Sequence, residues 1–412
     1  LSSTYTIMVT LSLSDSCKNL EEIQPILLDN LIRIVNINSH SSNIPGVELV
    51  VSVLLELFRE HAPHLAPERI PLEKYKEILA NGQMEQKVLA DSLFFRDTRN
   101  IPQTRKLLFM IHLDTVFPPD SPFQRAVLEN ATLKGPGSAD AKGGVMVILA
   151  VLSSLRHSPL FEKYTIDVFL NTDEEIGSPG SNGILQSMAK NYDYAFVFEP
   201  SLPDGSFISE RKGNGNFYLK IAGKSAHAGR EFHKGISAIH AASEFVFEAN
   251  QYLNQTDGIT FNTGKIDGGG PVNIVSDLAI VRYNLRVENP DSMLKTITFL
   301  QNQIALLEKK YGVRTESGGD FSSPPKVWTA DMQYLFDKLK LACESLDVPY
   351  IVRSSGGVSD GNKLQAAGLS NIDTLGVMGN YIHSQDEFML TDSLSSRPRL
   401  VLEILRFMAE EK

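Results

Sequence analysis

Apolar residues recur at three- and four-residue spacing through LEEIQPILLDNLIRIV (20–35) and VELVVSVLLELFREH (47–61), with the polar break NINSHSSNIPG between them. That spacing predicts two helices before residue 62. From residue 106 the pattern changes to short apolar runs alternating with amphipathic ones. KLLFMIHLDT (106–115), YTIDVFLNT (164–172) and YAFVFEP (194–200) read as strands, with GGVMVILAVLSSL (143–155) and SNGILQSMAK (181–190) as helices between them. Strands this apolar, separated by helices, imply a mostly parallel sheet covered on both faces.

After about residue 212 a second pattern takes over. NFYLKIAG, ITFNTGKI and LAIVRYNLRV predict strands, the last with Ala279, Val281, Tyr283, Leu285 and Val287 on one face, and ISAIHAASEFVFEANQYL predicts a helix. A further helix opens with Asn289 as N-cap and Pro290 at its first position, carrying Met293, Ile297, Leu300, Ile304 and Leu307 on one stripe. This is the pattern of a small α/β sandwich with both helices on one sheet face. Past about 322 the first pattern resumes: a helix at ADMQYLFDKLKLACESL, a short strand at YIV, a strand at DTLGVM and a C-terminal helix ending EILRFMAEEK. The simplest architecture is α/β, with one domain formed by residues 1–211 and 322–412 and interrupted by a smaller one at 212–321. A chain of 412 residues is long enough for two such cores.

Composition narrows the functions available. A formal net charge of -10 and no run of Lys and Arg argue against nucleic acid as a ligand. The longest apolar stretches fall short of the roughly 20 residues that span a bilayer. The N-terminal LSSTYTIMVTLSLSDSC lacks a basic n-region and a small-residue cleavage site, so it reads as a loose arm, and a cytoplasmic location is expected. With only Cys17 and Cys343, neither a disulfide framework nor a cysteine zinc site is available. Any bound metal must rest on His, Asp and Glu.

Those residues fall where strands end. His112 and Asp114 close KLLFMIHLD, Asp140 sits in the loop GPGSADAKGG before a helix, Glu174 and Glu175 follow YTIDVFLNT, Glu199 closes YAFVFEP, and His383 follows DTLGVMGNY. In an open parallel sheet, ligands bind in the crevice outside the carboxyl ends of the strands. His112, Asp140, Glu175, Glu199 and His383 form a mixed imidazole and carboxylate set suited to zinc. If Asp140 bridges, each of two ions receives one His, the shared Asp and one Glu, giving a two-metal hydrolytic centre with ions about 3.5–4 Å apart. Asp114, on the same side of the strand as His112, is placed to accept the other ring N–H of that His. Glu174, not needed as a ligand, is free to take a proton from the attacking water and pass it to the leaving amine. Strict alternation would put Glu174 and Glu175 on opposite faces, so the strand must end before them, and IGSPG supplies the turn. Asp173 has no assigned role.

HLDTVFP, GPGSADAKGG, NTDEEIGSPGS, VFEPS, GKSAHAG and HSQDE resemble, in order and spacing, the M20 family of zinc exopeptidases and deacylases. The resemblance implies two Zn²⁺ per subunit, replaceable by Co²⁺ or Mn²⁺, the ligand set above with Asp140 bridging, Glu174 as general base, and a cis peptide after Asp140. It implies that the inserted domain is a lid and homodimer interface, with His227 reaching the site, commonly that of the partner subunit, to stabilise the oxyanion. Among family members the chain is most similar to the glutamate carboxypeptidases of the carboxypeptidase G type. On that likeness Asn273 and Arg286 contact the substrate carboxylate with the Gly356 and Gly357 amides nearby. Asn284 stands where relatives often have Asp, and FSSPP (321–325) lacks an Arg that related enzymes place there.

The expected substrate is thus a small peptide or an N-acyl amino acid, cleaved at the amide next to a free carboxylate, with an acetylornithine or succinyl-diaminopimelate type of deacylase as the alternative. Two remoter readings complete the field. GVSDG (357–361) fits a nucleophile elbow, which would make Ser359, with Asp373 and His383, the triad of a serine hydrolase. A catalytically silent binding protein is the other.

Overall fold

The computed structural model of the chain describes residues 13–410. The arm expected at residues 1–17 therefore lies largely outside the described residues. Its last part departs from that reading, because the first helix already runs Ser14–Val35 and includes Cys17.

The larger sheet has six strands in the spatial order Leu65–Ile70, Ser92–Asp97, Tyr164–Asn171, Arg105–His112, Tyr194–Val197 and Asn371–Ile372. The last four are mutually parallel, and the first two are added antiparallel at one edge. Leu107 to Ile111 are buried without alternation because helices cover both faces. On one side lie Ser14–Val35, Ile44–His61, Lys142–Leu155, Ala330–Ser345 and Ser393–Ala409, and on the other the short helices Asn182–Met188 and Asp360–Ala366. Every residue of Lys142–Leu155 is buried, which makes it the central helix of the larger core. Its start lies against the strand region that leads to Glu199: a Cβ on Gly144 would stand 2.2 Å from the Phe198 carbonyl oxygen. Only glycine permits that approach.

A second sheet has four antiparallel strands in the order Ile259–Gly268, Leu278–Val287, Gly213–Ala222 and Arg314–Ser323. Helices Ala238–Leu253 and Pro290–Tyr311 pack on one face over Leu219, Ile221, Val281, Tyr283, Leu285 and Val287, forming a separate apolar core. Asn289 caps the second helix by accepting from Ser292 N–H, with Pro290 at the first position. The even-numbered residues Asn214, Asn216, Asn284 and Arg286 stand on the helix-free face, turned toward the larger sheet's cleft.

Several elements differ from the pattern reading. DTLGVM is not a strand beyond Ile372, since its amides go instead to single carbonyls, Leu375 to Val197 and Gly376 to Glu199. The strand expected at YIV lies at Val352–Ser355, parallel to Phe207–Arg211. The last strand of the smaller sheet extends to Ser323, past the residue-321 boundary. The hairpin Tyr75–Ile78 with Met84–Lys87 carries mostly exposed side chains, so no apolar periodicity marks it.

Candidate metal centre

The strand Arg105–His112 delivers His112, and the chain continues to Asp114 beneath it. The His112 ring Nδ1 lies 3.0 Å from the main-chain oxygen of Asp114 and 3.4 Å from its carboxylate. The carboxylate thus stands beside the ring nitrogen as expected, and it is engaged elsewhere as well. It accepts from Ser41 Oγ (2.6 Å) and from the amides of Glu174 (3.2 Å) and Glu175 (3.1 Å). Asp114 therefore fastens the acidic turn to the His112 strand. That turn begins after Asn171, forms a single 3₁₀ turn over Glu174–Ile176, and is closed by Gly177 at φ 94°. Asp173 acts within the same turn: its carboxylate accepts from Gly180 N–H, Ser181 N–H and Ser181 Oγ–H.

Asp140 precedes the central helix, and the Asp140–Ala141 peptide is cis. The amides of Ala139 and Asp140 both donate to Glu387 Oε1, at 3.0 and 3.1 Å. Glu387 is fully buried and was not singled out by the sequence reading, although it closes the HSQDE motif. His383, four residues earlier, is exposed and holds φ 63°.

All five expected ligand residues meet. Asp140 Oδ1 lies 3.0 Å from His112 Nε2, and Asp140 Oδ2 lies 3.2 Å from His383 Nε2. Glu199 Oε2 stands 3.9 Å from His112 Nε2, and Glu175 Oε2 3.2 Å from His383 Nε2. Two half-sites result, each with one imidazole and one glutamate, sharing Asp140. Taken across them, His112, Asp140 and Glu175 offer ligand atoms all within 4.8 Å of one another.

The electrostatics match the geometry. Burial, with Asp140 adding to it, pushes the Glu175 carboxyl up to about 7, and burial pushes Glu199 up to about 8 against the pull of His112. Burial also raises Glu174 well above the usual carboxylate range, opposed by His112. Asp140 is held below its ordinary value: burial opposes this, but hydrogen bonds from His112 and His383 outweigh it. The bonds to Asp140 and Glu175 in turn raise His383 to about 11. Four carboxylates share one recess, and Glu175 Oε1 is buried with no hydrogen-bond partner among the described residues. Such a group is costly unless a cation meets it. The donor set and the orphaned oxygen fit a pair of divalent ions.

The recess opens into a cleft of about 790 Å³ between the two sheets, lined by Glu174, Arg211, Asn214, Asn284, Arg286, Gly357 and Val358 among others. Arg286 donates to Asn284 Oδ1 and to the Gly356 carbonyl, and among the described residues no carboxylate pairs with it. The Gly357 amide is not free, since it donates to Ser355 Oγ at 3.0 Å. His227 and Asn273 are not brought to this cleft. They lie beside each other on the smaller unit, with Ala228 N–H donating to Asn273 O at 2.9 Å, and His227 Nδ1 accepts from the Gly229 and Arg230 amides.

Ser359 is fully buried. It is the N-cap of Asp360–Ala366 in a capping box with Asn362, and its hydroxyl donates to Asp373 Oδ2. Asp373 is committed to Arg211 and Lys326 rather than to His383. A hydroxyl so enclosed is a structural cap, and the serine-hydrolase reading falls with it.

Residues 108–406 match the model of peptidase family M20/M25/M40. The chain belongs to this family. Carboxypeptidase G2 of Pseudomonas sp. (strain RS-16) is 30% identical over 314 residues, covering 74% of either chain. Succinyl-diaminopimelate desuccinylase of Pseudoalteromonas translucida is 27% identical over 74% of this chain and 85% of its own. Among solved structures, the YXEP protein of Bacillus subtilis, described as a dinuclear metal binding peptidase from the M20 family, superposes with a TM-score of 0.64. That match is at 13% identity and covers 95% of this chain and 99% of that one. This M20 chain is accordingly a hydrolase of the metallopeptidase and amidohydrolase kind, with the family's α/β fold. No helix among its described residues is long and apolar enough to cross a membrane.

Proposed function

We propose that this M20 hydrolase is a two-metal exopeptidase that cleaves an amide next to a free carboxylate, releasing a C-terminal amino acid from a small peptide or an N-acyl amino acid. The observation that carries the reading is the position of Asp140, with one carboxylate oxygen on His112 and the other on His383. Two divalent ions, zinc by the chemistry of the donors, would be held by His112, Asp140 and Glu199 and by His383, Asp140 and Glu175. When bound they supply Lewis-acid polarisation of the scissile carbonyl and a water of lowered pKa.

The chain's own residues do the rest. Glu174 lines the cleft beside the proposed ligands, and its raised pKa suits it to take up a proton and return it to the departing amine. Arg286, a half-buried cation that no carboxylate among the described residues pairs with, is placed to bind the substrate's carboxylate, where a charge-assisted pair gains from exclusion of water. His227 and Asn273 would serve the cleft of a second copy, in a homodimer formed through the inserted unit. Phe232, Val272 and Ile274, close to them in sequence, are exposed apolar residues.

The test is a screen of dipeptides and N-acyl amino acids with the zinc-loaded protein, alongside metal analysis. About two ions per chain, activity abolished by a chelator, and preference for a C-terminal residue such as Glu are expected. Preference for short acyl groups whatever the amino acid would instead make it a deacylase, the activity named for the desuccinylase relative.

A further inference from the structure

The chain crosses between the larger and the smaller unit twice, once outward at Arg211–Gly213 and once back at Ser323–Lys326. The crossings run side by side. Arg211 N–H donates to Lys326 O and Lys326 N–H to Arg211 O, each at 3.0 Å. Two buried side chains of the larger unit hold them there. Asn362, with no exposed surface, sends its one amide group to both crossings, donating to Lys212 O at 3.1 Å and to Pro324 O at 2.8 Å. Asp373 stands between the residues that flank the crossings, 2.7 Å from Arg211 Nε and 2.9 Å from Lys326 Nζ.

The same residues reach the wall of the cleft. Arg211 Nη1 donates to Gly357 O at 3.2 Å, Lys212 N–H donates to Ser355 O at 3.1 Å, and Asn362 Oδ1 accepts from Ser359 N–H at 3.2 Å. The loop 355–359 is therefore tied to the crossings at three points. A fourth tie runs through Asp373, which also accepts from Ser359 Oγ–H at 3.1 Å. Gly213 packs directly on Pro325, where a Cβ would come within 2.7 Å of the proline ring, so no slack lies between the two crossings either.

We propose that Asn362, Asp373 and Arg211 are positioning residues that couple the seat of the inserted unit to the cleft loop 355–359, so that neither moves without the other. Arg286 extends the coupling from the far side, since it belongs to the inserted unit and donates to Gly356 O. Asn362 and Asp373 act on substrate only through the loop and through Arg286, whereas Arg211 also lines the cleft. Their effect on catalysis rests on the function proposed above, whereas the coupling itself does not.

Two variants test it in the full-length, metal-loaded protein. Asn362→Asp keeps size and the acceptor that caps Ser359 but sets a carboxylate oxygen against the carbonyls of Lys212 and Pro324. Arg211→Lys keeps the cation on Asp373 and loses the donor to Gly357. Amide hydrogen exchange is read at 211–214, 323–326 and 355–359, with strand 105–112 as control. In either variant we expect about tenfold or faster exchange at all three segments together and none at the control, because opening one releases the others. Acceleration confined to the residue's own neighbours would overturn the coupling. If Asn362→Asp does not fold, Arg211→Lys alone decides by the same readout. In turnover, KM should rise about tenfold with kcat and metal content nearly unchanged, as loss of binding shared by the bound substrate and the transition state requires. A fall in kcat with loss of metal would place these residues under the metal centre and contradict the assignment. A wild-type protein without hydrolase activity would remove the proposed function and leave the exchange result standing.

Discussion

Glu174 and Glu175 are neighbours with different environments, and their proposed roles separate in a mutant. Glu174→Gln should retain its metals by elemental analysis yet lose at least about two orders of magnitude in kcat, the usual worth of a general base. Turnover near wild type would remove that role from Glu174. A second outcome follows from the proton balance. Without metal, burial pushes the Glu175 carboxyl up to about 7 and that of Glu199 up to about 8, above the roughly 4.3 of an unfolded glutamate. The folded state thus binds more protons than the unfolded state between those limits, so the metal-free protein should lose stability as pH rises from about 4.5 to 8. His383, raised to about 11, adds to the same trend above its ordinary value. Metal binding requires the deprotonated ligands, so it should release protons and strengthen across that range. Calorimetric titration in buffers of different ionisation heat checks this, and an affinity flat from pH 6 to 8 contradicts it. At this scale the sequence was informative about which side chains converge, because strand ends mark the rim. It was silent on Glu387 and on the further bonds of Asp114 to Ser41 and the acidic turn, since hydrogen bonds to single loop groups leave no periodic trace.

Individual elements hold these residues in register, and the closest tolerance is at the head of the helix Lys142–Leu155. The missing Cβ of Gly144 lets that helix sit on the Phe198 carbonyl, one residue before Glu199 and a few residues from Asp140. Gly144→Ala must push the helix and the Glu199 segment apart, at a cost of about 1–3 kcal/mol. A lowered Tm together with weaker metal binding is expected. A fall in Tm with unchanged metal affinity would show that the strain relaxes away from the site. The elements legible in advance were those with a strong period: the central parallel strands, the buried helix and the amphipathic helix opened by Asn289 and Pro290. DTLGVM misled because its burial comes from filling the space beside Val197 and Glu199, not from pairing along a ladder. The exposed hairpin at 75–87 and the short strands around 127–134 carry no apolar alternation to read.

For the whole molecule, the proposed role of His227 requires a second chain to complete the cleft. It is exposed and outside the cleft, so in the proposed homodimer each site borrows it from the partner subunit. His227→Ala and Glu174→Gln proteins, each nearly inactive, should on subunit exchange restore about a quarter of wild-type activity, because half the dimers are mixed and each mixed dimer has one intact site. No recovery after verified exchange would place His227 outside the reaction or within its own chain's site. The change of pattern near 212 and its return near 322 accompany a second sheet with its own apolar cluster. A partner could not be read in the same way, because an exposed Phe232 or Val272 is in sequence no different from any other surface apolar residue.

The antiparallel bridge between Arg211 and Lys326 also bears on how such a chain can be built and taken apart. The two points where the inserted unit leaves and rejoins are already paired as the ends of a hairpin, so the larger unit's own path is continuous without residues 212–325. A gene in which those residues are replaced by a two-residue turn should encode a protein that folds around the same six strands and retains Asp140 between its two histidines. In evolutionary terms the inserted unit occupies the place of a surface turn, where gain or exchange of a module disturbs the parent least.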